Sequence, residues 1–310
     1  MLLRLRTLSY IINRNTMNKN IKKVLVTGGH GFIGGHVIQG LLDRGYQVSS
    51  FDRRAVKDIA GVQDFVGDIR DKNAVDQAIF DCDGVIHLAG ILGTSETLQH
   101  IIETSEVNIM GTLNVFEAVK KYKKRCVYIT LPDVWHNVYA ITKRTAKDFA
   151  LLYNREFGTH INIVRGFNVY GEGQKYKPVR KFAPSFIIRA IMGQPLQVYG
   201  DGSQLVDLVY VKDTAEILIR ALELDKVADE VIDSGSGNGE PLIKVAKIIA
   251  GMLKAKIEFL PMRPGETSKA IIRGDTTILH KWLGKFKFTP LEVGMKKTVG
   301  WYKKHYKELI

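Results

Sequence analysis

The stretch TGGHGFIGG, residues 27–35, limits what this chain can fold into more than any other segment. It follows an apolar run, IKKVLVT (21–27), that reads as a strand. It opens a helical pattern, FIGGHVIQGLLDR (32–44), that stops at Gly45. Gly28, Gly31 and Gly34 recur every three residues. Without side chains, Gly28 permits a tight turn, Gly31 lets the backbone approach a pyrophosphate, and Gly34 lets helix and strand pack closely. The free N–H groups at the helix start, around Phe32 and Ile33, favour phosphate charge. Asp52 ends the next strand-like run, QVSSF (47–51), eighteen residues beyond Gly34. A carboxylate there accepts hydrogen bonds from an adenosine ribose and repels a 2′-phosphate, so the expected cofactor is NAD. The neighbouring Arg53 and Arg54 leave a phosphate-holding alternative open.

The rest of the chain repeats the strand–helix alternation. DFV (64–66), GVIHLA (84–89), CVYIT (126–130) and INIVR (161–165) read as further strands. Helical patterns run from about Asp71 to Phe80, Glu96 to Lys124 and Tyr139 to Phe157. Such alternation predicts an α/β fold, a Rossmann-type doubly wound parallel sheet. After Gly171 the character changes to the polar, basic EGQKYKPVRKFAPS. PLQVYG (195–200) and LVYV (208–211) look like short strands, and DEVIDSG (229–235) a strand able to rejoin the main sheet. The expected organisation is a disordered extension over 1–20 and a dinucleotide domain over 21–174, rejoined by about 198–235. Segments 175–197 and 236–310 form a smaller, discontinuous C-terminal α/β substrate lobe.

The formal net charge of +13 is spread along the chain, which suits a solvated basic surface or attraction for an anionic small molecule. No concentrated basic patch with a recognisable module points to nucleic acid. No apolar stretch approaches the length of a membrane span. Cys82 and Cys126 match no metal-ligand spacing and are expected to be reduced and buried, and no metal is expected. The basic, acid-free opening MLLRLRTLSYIINRNT suits an unstructured extension or an early start upstream of Met17; a transit peptide is the alternative. A cytoplasmic location is expected.

In the segment TLPDVWHNVYAITK (130–143), Tyr139 and Lys143 stand one helical turn apart, stacking a phenol and an ammonium on one face. The ammonium is expected to draw the phenol's pKa down, so that a tyrosinate can take a hydroxyl proton. With these motifs in order, the chain resembles the extended short-chain dehydrogenase/reductase family, specifically its nucleotide-sugar epimerase/dehydratase branch. TGGHGFIG resembles the family's dinucleotide loop, and GDIRD (67–71) its adenine-side motif with Asp68 and Ile69. HLAG (87–90) matches the strand passing under the cofactor, with Leu88, Ala89 and Gly90. VNIMGT (107–112) matches the long-helix motif containing Asn108, and YAITK the Tyr-x-x-x-Lys pair. RGFNVYGEGQ (165–174), VYGDGSQLVDLVYVKD (198–213) and RPGE (263–266) look like substrate segments. They imply substrate contacts from Asn168, Gln174, Lys181, Tyr199 and Arg263. The resemblance further implies a nucleotide-sugar substrate and a homodimer formed through the two long helices.

Two departures from the family pattern stand out. The hydroxyl residue that assists the tyrosine is Thr130 when counted from the strand end. Aligned on Val134-Trp135, its place falls to Leu131, which has no hydrogen to donate. The expected site is a rebuilt one using Thr130. The acid–base pair of a dehydratase is missing from Leu131-Pro132-Asp133, which favours a 4-epimerase working through a 4-keto sugar with Tyr139 as base. A reductase or dehydratase, or an impaired cofactor-binding homologue, remains the alternative. The second departure is Val206, where the branch usually carries an arginine for the diphosphate; Lys175, Lys177, Arg180 and Lys181 are the candidates to compensate. His30, His36 and Trp135 read as packing or surface residues.

Overall fold

The computed structural model describes residues 20–54, 59–134, 136–179, 181–262 and 271–309. The segment 1–19 of the expected extension, together with Trp135, Arg180 and Arg263, lies outside the described residues.

The chain begins as a strand–helix series: β1 (Lys23–Thr27), α1 (Phe32–Leu42), β2 (Gln47–Asp52), β3 (Val62–Val66), α2 (Lys72–Phe80) and β4 (Gly84–His87). The predicted helix over 96–124 is instead built in four pieces. A 3-10 turn spans Glu96–Gln99, α3 Ile101–Ser105, a π-helical turn Glu106–Gly111 and α4 Thr112–Tyr122. Then come β5 (Arg125–Thr130), α5 (Val138–Phe157), β6 (His160–Gly166), β7 (Asn168–Tyr170), α6 (Phe182–Ile191) and β8 (Leu196–Tyr199). The remaining elements are β9 (Leu205–Val206), β10 (Leu208–Tyr210), α7 (Val211–Glu223), β11 (Ile232–Ser234), β12 (Glu240–Pro241), α8 (Leu242–Leu253), β13 (Ile257–Leu260), α9 (Thr276–Leu283) and α10 (Leu291–His305).

Seven of these strands form one parallel sheet in the order β3-β2-β1-β4-β5-β6-β11, the doubly wound α/β arrangement that the alternation predicts. Both sheet faces are covered, so the inner strands carry short continuous apolar runs, as VLV in β1 and VI in β4. One face packs Val24, Val26, Val48 and Val127 under α1 and α7. The other packs Leu25, Val85, Cys126, Tyr128 and Ile161 under α2, α4 and α5. Both cysteines are buried and free.

Strand order reverses between β1 and β4, and such a switch point opens a crevice at the carboxyl ends of the strands. A third cluster, around Phe186, Ile187, Leu196, Val198, Val245, Ile249 and Tyr302, gives the C-terminal elements a core of their own. Paired β8 and β13, with α6 and α8 packed on them, belong to this cluster, and Gln197 and Tyr199 of β8 line the crevice.

Candidate active site

The crevice is a cavity of about 1010 Å³. Sheet order arranges its walls. Asp52 ends β2 with Arg53 just beyond it, the glycine turn follows β1, Leu88 to Gly90 follow β4, Thr130 ends β5, and Asn168 follows β6. Lys181, Gln197, Tyr199 and Gln204 also line it.

The glycine turn has room for a ligand and none for side chains. Gly28 has φ of +69°, and a Cβ there would stand 2.9 Å from the Ala89 nitrogen. A Cβ on Gly34 would meet the Gly28 oxygen at 2.2 Å. The turn therefore lies against the end of β4, and α1 packs directly on the turn. Gly31 caps α1 without a side-chain hydrogen bond, and no acid stands in the first turn, so the N–H groups and positive dipole end face the cavity. Asp52 accepts a hydrogen bond from the His30 backbone N–H at 3.3 Å, which ties the carboxylate to the turn. Asp68 is held by Arg70 through Nε at 3.1 Å and Nη2 at 2.8 Å. That guanidinium keeps its carboxyl below the usual range. Ile69 lines the same end. The glycine cradle, open helix terminus and ribose-side carboxylate together fit a dinucleotide.

At the centre, Tyr139 and Lys143 both stand on the cavity wall. Asn137 caps α5, its Oδ1 accepting from the Ala140 N–H at 2.9 Å, so the first turn carrying the phenol is fixed. Lys143 runs inward, with Nζ 4.1 Å from the centroid of the Tyr128 ring. Below lies His87, fully buried between Thr27 Oγ1 at 2.6 Å and Thr112 Oγ1 at 3.0 Å. Burial, with the Lys143 charge adding to it, holds the imidazole neutral, its pKa down at about 3. Burial also pushes Lys143 down to about 7 and Tyr139 up to about 12. The expected lowering of the phenol by its neighbour is thus overturned. The enclosing protein favours the uncharged form of both groups, because burial takes away the water that would solvate their charges.

Thr130 lines the cavity, and its hydroxyl donates to the Lys143 carbonyl at 3.4 Å. Leu131 and Pro132 share that wall, whereas exposed Asp133 pairs with Lys147 at 3.6 Å. No acid from this segment faces the phenol among the described residues. Asn168 lines the cavity with its Nδ2 buried and unpartnered, and Lys181 lines it as a largely buried ammonium. Burial pushes the Lys181 pKa down, with Glu96 opposing. Val206 adds an apolar patch.

Two of the sequence-derived site residues stand behind the wall. Asn108 is buried and spends its amide on the Ile91 N–H at 2.8 Å, the Ile91 carbonyl at 2.9 Å and Thr142 Oγ1 at 3.1 Å. Gln174 donates to the Val169 carbonyl at 3.0 Å. Both carry hydrogen-bonding capacity, but local backbone groups absorb it. His136, Asn137, Tyr176, Gln197 and Gln204 line the cavity without having been singled out from the sequence. Gln204 lies inside the quoted VYGDGSQ segment, where side-chain direction is not readable from spacing. Among the described residues no cluster of His, Cys, Asp or Glu could hold a metal, and no helix is long and apolar enough to cross a membrane.

The family model "NAD dependent epimerase/dehydratase family" matches residues 24–131 and 130–233. A UDP-N-acetyl-alpha-D-glucosaminuronate decarboxylase of Bacillus cytotoxicus is 30% identical over 91% of this chain and 98% of its own. A UDP-glucose 4-epimerase of Thermotoga maritima, solved with UDP-glucose, superposes with a TM-score of 0.84 at 25% identity. That match covers 92% of this chain and 99% of that one. The enzyme WbmF of Bordetella bronchiseptica, solved with NADH, gives 0.83 at 25% identity over 94% of each chain.

Proposed function

The chain belongs to the NAD-dependent epimerase/dehydratase family, with NAD as cofactor, and on that premise we propose that it epimerises a nucleotide-activated sugar at C4. One observation supports this choice of reaction above others. Tyr139 and Lys143 share the cavity wall with Thr130, Leu131 and Pro132, and among the described residues no acid–base pair for eliminating water stands there.

The glycine turn, Asp52, Arg53, Asp68, Ile69 and Leu88 to Gly90 would hold the dinucleotide. NAD held there would supply a hydride acceptor for a carbinol carbon and a hydride donor for the resulting ketone. Tyr139 takes the proton of the C4 hydroxyl as the 4-keto sugar forms and gives it back after the sugar has turned its other face. Lys143, protonated, offsets the charge on the phenolate in a site that favours neutrality. Thr130 ties the end of β5 to α5 and offers its hydroxyl lone pairs to the reacting group. Asn168 donates to the sugar or its diphosphate, and Lys181 pairs with the diphosphate opposite the apolar Val206. The protein acts in the cytoplasm as a homodimer.

A second reading rests on the 30% identical decarboxylase relative. Oxidation at C4 of a nucleotide-linked uronate makes a β-keto acid, which loses its carboxylate as carbon dioxide to leave an enolate that takes one proton at C5, with no acid–base pair for eliminating water. Incubation with UDP-hexoses and UDP-uronates, followed by chromatography and carbon dioxide capture, separates the two. Epimer without gas supports the first reading, and gas release from the uronate replaces it with the second. Tyr139→Phe should lower turnover at least about a hundredfold while nucleotide binding persists. Unchanged turnover in that variant rejects both.

A further inference from the structure

The ammonium of Lys143 rests on a ring rather than on an acid. Among the described residues no carboxylate pairs with it, and burial is all that shifts its pKa. Its Nζ lies 4.1 Å from the centroid of Tyr128. An aromatic face carries partial negative charge, and its attraction for a cation grows where water is excluded. Tyr128 is fully buried on β5, and its contacts fix the plane of the ring. Its hydroxyl donates to the Lys143 carbonyl at 3.2 Å, which tethers the ring to the backbone of the residue whose side chain lies on it. Phe116 packs edge-on with centroids 5.6 Å apart, and the His87 imidazole lies 5.8 Å away, tilted by 30°. The titratable groups around the amine are His87 from β4, kept neutral by burial, Tyr128 from β5, and Tyr139 on its own helix. The π-helical turn and α4 bring the uncharged Asn108 and Thr112 to this region. No charged group from another element packed on α5 shifts the Lys143 pKa.

We propose that Tyr128 is a positioning residue for the proton step: its ring face stabilises the Lys143 ammonium and holds it at the cavity wall, where a phenolate at Tyr139 needs a cation. Burial pulls the amine toward neutrality, and the ring opposes that pull. The inference rests on the sugar-oxidising reading and adds to it what keeps Lys143 charged.

Tyr128→Phe keeps the face and loses the hydroxyl. Tyr128→3,4,5-trifluorophenylalanine nearly keeps that shape and drains the face of negative charge, so the pair isolates the ring's electrostatics from its packing. Trace acetylation of the full-length protein with acetic anhydride at a series of pH values, read by mass spectrometry at Lys143, measures the proton affinity of this amine without turnover. Tyr128→Phe should stay within about twofold of wild type, and the fluorinated variant should fall about tenfold below Tyr128→Phe. Turnover needs the protonated amine and fails as pH rises through its pKa, so its alkaline limb should move down by about one pH unit between the two variants. Equal proton affinities in the two variants overturn the inference, whatever the turnover. Wild type inert toward every nucleotide sugar, with the tenfold gap present, overturns the reaction assigned to Lys143 and leaves the ring's hold on its charge standing.

Discussion

Lys143 carries its amine into a place where neither its charge nor that of the neighbouring phenolate is solvated. The unfolded chain keeps a lysine protonated to about pH 10.4, whereas folded Lys143 gives up its proton at about 7. Between those values the unfolded state binds the extra proton, so this residue's contribution to stability rises as pH rises from about 7 to about 10. Tyr139 acts with the opposite sign at higher pH. Its folded pKa of about 12 exceeds that of a free phenol, so stability declines above about pH 10. Replacing Lys143 by methionine removes the first effect alone. Melting temperatures of wild type and Lys143→Met, compared from pH 7 to 10, should diverge in wild type's favour as pH rises. A difference that stays flat means the amine is charged throughout this window. The charge balance also identifies what binding must supply, since a phenolate and an ammonium in this pocket stabilise one another only as a pair.

The π-helical turn over Glu106–Gly111 shows how an element takes a shape that its own residues do not dictate. Asn108 bonds both backbone groups of Ile91 and reaches Thr142, one turn beyond Tyr139 in α5. Gly111 leaves no space for a Cβ, which would stand 2.6 Å from Ile69 Cγ1. Asn108→Ala removes three hydrogen bonds, one buried and two partly buried, and strands two backbone groups, so chemical denaturation should show a loss of about 2–4 kcal/mol. A loss below about 1 kcal/mol means the turn is held by its packing alone. The main strands were readable because a sheet covered on both faces needs continuous apolar runs, as in VLV, GVIH and CVYI. The glycine spacing likewise showed where α1 meets the turn. The break in the helix over 96–124 was not readable, because it depends on Ile91, a contact distant in sequence. For the same reason Asn108 and Gln174 could be found as polar residues in the right segments but not as residues turned toward the backbone. Gln204 lines the cavity while its amide bonds the Tyr199 carbonyl, a contact that spacing does not show.

The molecule as a whole leaves one helical surface unfinished. Along α3, the π-helical turn and α5, Ile101, Ile102, Met110, Ile141 and Leu152 are exposed, Ile102 by 76%. α3 and α4 both pack on α5, and positions 141 and 152, three helical turns apart, share a face of α5. Single exposed apolar residues are ordinary, but a run of them on adjoining helices matches a self-complementary interface. Two copies related by a two-fold axis would bury these residues and leave the cavity, at the carboxyl ends of the strands, open in each. Ile102→Glu places a charge in the centre of that surface and touches no buried core, so the monomer fold should persist. Sedimentation of the wild type at micromolar concentration should give a dimer, and Ile102→Glu a monomer of unchanged circular dichroism. A wild type that sediments as a monomer assigns the exposed helices to another partner, and a variant that stays dimeric places the interface on a different face.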